Sequence, residues 1–212
     1  MAHPPLDLEV TKRKTFLNDR PLTLMLLAFG FCAGGVESGI RDWIFIFGIK
    51  MAVPEQQAYW LISLFFAGLT AGRALAIFLN RLLDPKKLMT IILVLMLLEL
   101  PFLYLVPQVI PAVTFFLGLL MGPTVPGILG IFANDLKLNG ELTGSFFLGL
   151  GLGGMTPYFV GAALDRAGSW ILPFMIGLYV LGMGLAWVFV RQRIHQVRWH
   201  HQDNSGRFLP RV

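Results

Sequence analysis

The sequence predicts an all-α integral membrane protein with six transmembrane helices, and three observations predict it. The first is composition: 56% of residues are hydrophobic, only 14% are charged, and the mean hydropathy is +0.69. Soluble domains carry charge on about a quarter of their residues. The second is that the apolar residues fall into six blocks of roughly 20 residues, the length a helix needs to span the hydrocarbon. A membrane β-barrel would show short alternating segments instead, and these blocks do not alternate. The third is the placement of Lys and Arg. With six spans both termini share a side, and that side collects thirteen cations: Lys12, Arg13, Lys14, Arg20, Arg81, Lys86, Lys87, Lys137, Arg191, Arg193, Arg198, Arg207 and Arg211. The opposite side has only Lys50 and Arg166. By the positive-inside rule both termini are expected in the cytoplasm, in a plasma membrane or a bacterial inner membrane.

Residues 1–20 are polar and basic, without the apolar core and small-residue cleavage site of a secretory signal, and are expected to form a disordered cytoplasmic tail. The bundle is expected over 21–191, with spans near 22–47, 56–79, 88–106, 110–132, 142–163 and 170–190, and a second basic tail over 192–212. The second block opens with Tyr59 and Trp60, a pair suited to the membrane interface. Only Pro107-Gln108-Val109 separates the third and fourth blocks, which predicts a tight helical hairpin. The lone cysteine, Cys32, excludes an intramolecular disulfide. The net charge of +5 is explained by topology rather than by a nucleic-acid partner.

The first span concentrates the chemistry. It holds Glu37, Arg41 and Asp42 inside an otherwise apolar stretch, where a charged side chain near mid-membrane costs about 3 kcal/mol on insertion scales. At ~1.5 Å per residue, Glu37 lies ~4 Å and Arg41 ~10 Å from the centre of that stretch. Gly30, Gly34, Glu37 and Arg41 recur at helical spacing and share one face. Glu37 and Arg41 also form an i,i+4 pair in the favourable order. Two readings follow: a self-neutralising pair that tolerates burial, or a cavity-facing site for protons, cations or substrate hydroxyls. Trp43 could stack on a substrate ring or anchor at the interface.

In the fifth span, Ser145, Gly149, Gly153 and Pro157 stand four residues apart, a pattern that lets helix backbones approach closely and that Pro157 interrupts. Pro123 and Pro126 flank Thr124 and predict a kink in the fourth span. Paired Gly/Pro interruptions in different spans point towards a transporter site. Arg73 and Arg81 bracket the end of the second span before Asp84-Pro85-Lys86-Lys87, either as positive-inside anchors or as a salt-bridged gating loop. Glu99, before Pro101, is placed near the outer face.

Several classes are set aside by what is missing. His3, His195, His200 and His201 all lie in the tails. The membrane interior therefore offers no histidine for an intramembrane serine protease, a haem or a histidine-based metal site. No phosphate loop of the Gly-Lys-Ser/Thr type appears, so no built-in ATP motor is expected. With no nucleophile–base pair visible, an enzyme is not expected, and neither is a cofactor.

Gly35-Val36-Glu37 followed by Trp43-Ile44 resembles the Tyr-Val-Gly-x-Glu…Gly-Trp-Ile signature of sugar carriers like the fucose permease, a branch of the major facilitator superfamily. Gly68-x-x-x-Gly72-Arg73 with Asn80-Arg81 resembles that superfamily's cytoplasmic loop between second and third helices. Gly122-Pro123-Thr124-Val125-Pro126, Gly153-Gly154-Met155-Thr156-Pro157 and the stretch from Gly161 through Asp165 to Gly168 resemble its later helices. Where the branch carries a tyrosine and a Gly-Gly pair, this chain has Ala33 and Arg41-Asp42. The resemblance, over about 21–191, implies the C-terminal six-helix half of a twelve-helix secondary transporter. Its solute would be small and polar, a sugar, moved by alternating access with proton or sodium coupling. Glu37, Arg41, Trp43, Thr124 and Gly153 would line the cavity, and Arg73 and Arg81 would belong to a gating loop. The partner would be the missing N-terminal half or a second chain, and the chain is expected to be a fragment. The alternative is a truncated, non-transporting scaffold or regulatory subunit.

Overall fold

Helix α1 (Arg20–Lys50), 31 residues long and so ~46 Å, is the axis on which the other helices assemble. The computed structural model describes residues 20–105, 107–135 and 140–204. The expected tail before Arg20, Lys137 and the end of the chain lie outside them. The remaining helices are α2 (Glu55–Leu82), α3 (Pro85–Glu99), α4 (Phe102–Leu105), α5 (Ile110–Met121), α6 (Thr124–Asp135), α7 (Gly140–Gly153), α8 (Pro157–Ala167) and α9 (Ile171–Asn204). Among the described residues all regular structure is helical, and six spans are long and apolar enough to cross a membrane: Arg20–Lys50, Glu55–Leu82, Pro85–Tyr104, Pro107–Ala133, Gly140–Ala167 and Ile171–Arg193. The first has the largest buried share, 56%, which puts the charged helix at the centre of the bundle.

Helix boundaries follow local chemistry. Helix α1 ends in a Schellman turn, with Val53 N donating to Gly48 O and Ala52 N to Ile49 O. Ala52 takes the left-handed position at φ 60° where glycine is usual. Asp84 caps α3 by accepting from Lys86 N at 2.8 Å, with Pro85 in the first turn. The third span breaks at Leu100-Pro101, and a 3-10 turn over Pro107–Val109 makes the predicted hairpin into α5. The fourth span breaks at Gly122-Pro123 and the fifth between Gly153 and Pro157, where each proline removes an amide donor from the ladder. The basic tail expected from Arg191 is helical as far as Asn204.

Two reciprocal glycine clamps set the packing. Gly30 and Gly34 of α1 sit against the carbonyls of Phe146 and Leu150 in α7, while Gly149 and Gly153 of the fifth span sit against those of Leu27 and Phe31. In the same way Gly68 and Gly72 of α2 meet Phe115 and Leu119 of α5, and Gly118 and Gly122 meet Phe65 and Leu69. In both clamps residue numbers rise together on the two partners, so each pair of helices is parallel. Small residues every fourth position allow this approach, which a Cβ would prevent.

The clamps also expose an internal order. Divide the chain into spans one to three and spans four to six. The first span of each half then clamps the second span of the other half. Three crossings per half is an odd number, so the two halves run through a membrane in opposite directions. The sixth span closes the back of α1, with Tyr179 over Gly35 and edge-on to Phe31. It is tied to the third span by Trp187 Nε1, which donates to Thr90 Oγ1 at 3.0 Å. Trp187, Phe29, Phe47, Phe65, Phe132 and Phe146 fill the interior.

Candidate functional site

The C-terminal half of α1 and the break in the fifth span bring together Ser38, Arg41, Asp42, Trp43 and Lys50 with Gly153, Thr156 and Pro157. Arg41 and Asp42 are exposed, with side-chain exposures of 44% and 37%. Their side chains form a fork: Arg41 Nε to Asp42 Oδ1 at 2.7 Å and Nη2 to Oδ2 at 3.2 Å. The i,i+4 pair expected between Glu37 and Arg41 is therefore not formed. The short Asp42 side chain can satisfy two guanidinium donors at once, and such bidentate contact outcompetes a single-point one. Glu37 is half-buried, makes no ion pair among the described residues, and stays an electrostatic neighbour of Arg41. The result is a carboxylate without an ion pair among the described residues, beside an exposed Arg41–Asp42 pair.

Trp43 is engaged rather than open. Its Nε1 donates to Pro157 O at 2.8 Å, and its ring lies directly over Gly161, where a Cβ would collide with it. It therefore latches α8 to α1. Lys50 extends the latch, donating from Nζ to Leu164 O at 3.2 Å and standing 3.8 Å from Asp165 Oδ1. A cation at the last carbonyls of α8 is favourable to the helix dipole. Trp43→Phe, which keeps most of the ring and removes the donor, is expected to cost about 1 kcal/mol. That would lower the melting temperature of the detergent-purified chain by about 2–4 °C; an unchanged value would show the bond is not made.

Gly153 acts through its carbonyl. Position 157 is proline, so the amide that would have closed this turn is absent. Ser38 Oγ at 3.2 Å, Thr156 Oγ1 at 2.7 Å and Thr156 N at 3.1 Å take its place. Ser38 Oγ also lies 2.6 Å from Gly34 O. Ser38 and Thr156 are both buried. The proline itself signalled this orphaned carbonyl; which hydroxyls would reach it was set by the packing of α1 on α7.

Thr124 is fully buried and donates from Oγ1 to Met121 O at 2.6 Å. It caps the break in the fourth span and does not face a surface. Arg73 and Arg81 are exposed and make no ion pair among the described residues, and the nearby Asp84 serves as a helix cap. Neither arginine therefore forms a salt bridge among the described residues, and Arg81 in the last turn of α2 complements the helix dipole. Glu99, at the end of α3, has its Oε2 sealed from solvent and without a hydrogen-bond partner among the described residues. Among the described residues no group of three or more His, Cys, Asp or Glu side chains could hold a metal ion.

Comparison of the chain with protein-family models, with curated proteins and with solved structures finds no match.

Proposed function

We propose that the chain is one six-helix half of a secondary transporter of the major facilitator type, moving a small polar solute, a sugar, by alternating access. The observation that carries this reading is the exchange of glycine clamps between the two three-span halves. Repeats of opposite direction packed about a central substrate site are the architecture of secondary transporters. On this reading Glu37, Arg41 and Asp42 form one wall of a water-filled cavity, with Glu37 as the group that couples a proton or sodium ion to the solute. Charged side chains exposed at this depth would otherwise face lipid, at a cost of about 3 kcal/mol each. Trp43, Thr124 and Gly153 shape that wall indirectly, as the latch and the supports of the two breaks. The opposite wall belongs to a second six-helix unit. On this reading both termini lie in the cytoplasm, the side that the Lys and Arg asymmetry favours.

Uptake of labelled sugars by vesicles holding the paired carrier tests this reading. Uptake above protein-free vesicles is expected, with loss of ion coupling in Glu37→Gln. Unchanged solute and ion coupling in that variant would remove the role given to Glu37. No uptake of any solute would favour a non-transporting scaffold.

A further inference from the structure

We propose that a crevice between the start of α1 and the end of the sixth span binds an anionic phospholipid, its phosphate on Arg193 and an acyl chain between the two helices. The site lies at the opposite end of α1 from Arg41 and Asp42, and it does not depend on whether the chain carries a solute. The crevice has a volume of about 120 Å³ and is lined by Pro21, Leu22 and Met25 of α1 and by Phe189, Val190 and Arg193 of α9. Leu22 and Val190 are buried and form its floor, Met25 is half-buried, and Pro21, Phe189 and Arg193 stand exposed at its rim. Every lining side chain except Arg193 is apolar.

The order of these groups along the two helices suits an amphiphile. Arg193 is the last residue of the apolar span Ile171–Arg193. Phe189 lies about one turn, ~6 Å, nearer the middle of that span, and Met25 is as much deeper than Pro21 on the facing helix. A lipid whose phosphate meets the guanidinium therefore runs its first methylenes down an apolar slot walled by both helices. The planar guanidinium fork fits phosphate oxygens bidentately, and its flexible stem reaches the headgroup level. Arg20, next to Pro21, and Arg191 are also exposed, and none of the three arginines forms an ion pair among the described residues. Three uncompensated cations favour a headgroup of net negative charge and repel the ammonium of a phosphatidylcholine. On the topology that the Lys and Arg asymmetry favours, this end of the bundle meets the cytoplasmic leaflet, where basic pockets between helices take anionic headgroups. Free phosphate carries the same charge but leaves the apolar slot unfilled, whereas a lipid uses both parts. Because the walls belong to the first and sixth spans, the bound lipid ties the two ends of the bundle together.

The test is thermal unfolding of the detergent-purified full chain, titrated with dioleoylphosphatidylglycerol, with dioleoylphosphatidylcholine and with inorganic phosphate. The expected result is a saturable rise in melting temperature with phosphatidylglycerol, half-saturating at a concentration roughly tenfold below that of phosphatidylcholine, and no rise with phosphate. Arg193→Gln is expected to raise the half-saturating phosphatidylglycerol concentration about fivefold, the contribution of one cation at an anionic surface. Met25→Trp, which fills the slot and leaves every charge in place, is expected to raise it by about as much. Lys87→Gln, which removes an exposed cation on the same side of the bundle outside the crevice, should keep the wild-type value. Equal half-saturation of the wild type by the two lipids overturns the site, whether or not the variants fold. So does a wild-type value in Arg193→Gln or in a folded Met25→Trp. A rise with phosphate alone makes this a small-anion site and overturns the lipid. An equal loss in Lys87→Gln reduces the effect to the general charge of that surface and overturns it as well.

Discussion

Gly34→Val and Gly118→Val are each expected to abolish the folded bundle, while Gly39→Ala leaves it intact. A Cβ at Gly34 runs into the Leu150 carbonyl, and one at Gly118 runs into that of Phe65. Overpacking a core typically costs about 1–3 kcal/mol when side chains can move aside. Here the obstacle is helix backbone, so α1 must separate from α7, or α2 from α5, along the whole clamp. The neighbouring glycines would lose their contacts with it, and valine adds two further methyl groups to the collision. A loss beyond about 3 kcal/mol is a large share of the roughly 5–15 kcal/mol that holds a domain together. Gly39 is the control. It is buried on the same helix, yet nothing lies within 4 Å of the Cβ it lacks. Size-exclusion profiles and melting temperatures decide between the outcomes. Wild-type melting in Gly34→Val would mean that the helices do not approach as described.

This pattern also explains what the sequence could and could not convey. The number of spans, the hairpin at Pro107 and the breaks at Pro123 and Pro157 follow from local rules, because hydropathy and proline act on a few neighbouring residues. The four-residue glycine spacing announced close approach. Which helix each glycine meets was hidden, since Gly34 and Leu150 are distant in the chain and meet only through packing. The charged cluster shows the same limit. Sequence spacing placed Glu37 and Arg41 on one face, but it did not weigh the adjacent Asp42, whose short side chain captures the guanidinium at 2.7 Å. Trp43 offered an indole and a ring in the right place for a solute. Its partners, Pro157 and Gly161, were visible only once the broken fifth span lay across α1. Neither Ser38 nor Thr156, the latter visible only as part of a Gly-Gly-Met-Thr-Pro stretch, stood out as a hydrogen-bond donor, because a buried hydroxyl has no sequence pattern of its own.

A carrier cavity requires that the face bearing Glu37, Arg41 and Asp42 meet water at membrane depth. Arg41 is ~10 Å from the middle of its span, within the ~15 Å half-thickness of the hydrocarbon. A thiol placed there would face a water-filled cavity or lipid, and only the thiolate, which water permits, reacts with a charged, membrane-impermeant reagent. Cys32 is the single cysteine, so Cys32→Ser supplies a clean background. Leu178 and Leu185, exposed in the middle of the sixth span, supply lipid-facing controls. Labelling by an impermeant maleimide in intact membranes is therefore the most direct measurement. Arg41→Cys is predicted to react at least tenfold faster than Leu178→Cys and Leu185→Cys; reaction as slow as theirs would place the charged face in lipid and contradict the cavity.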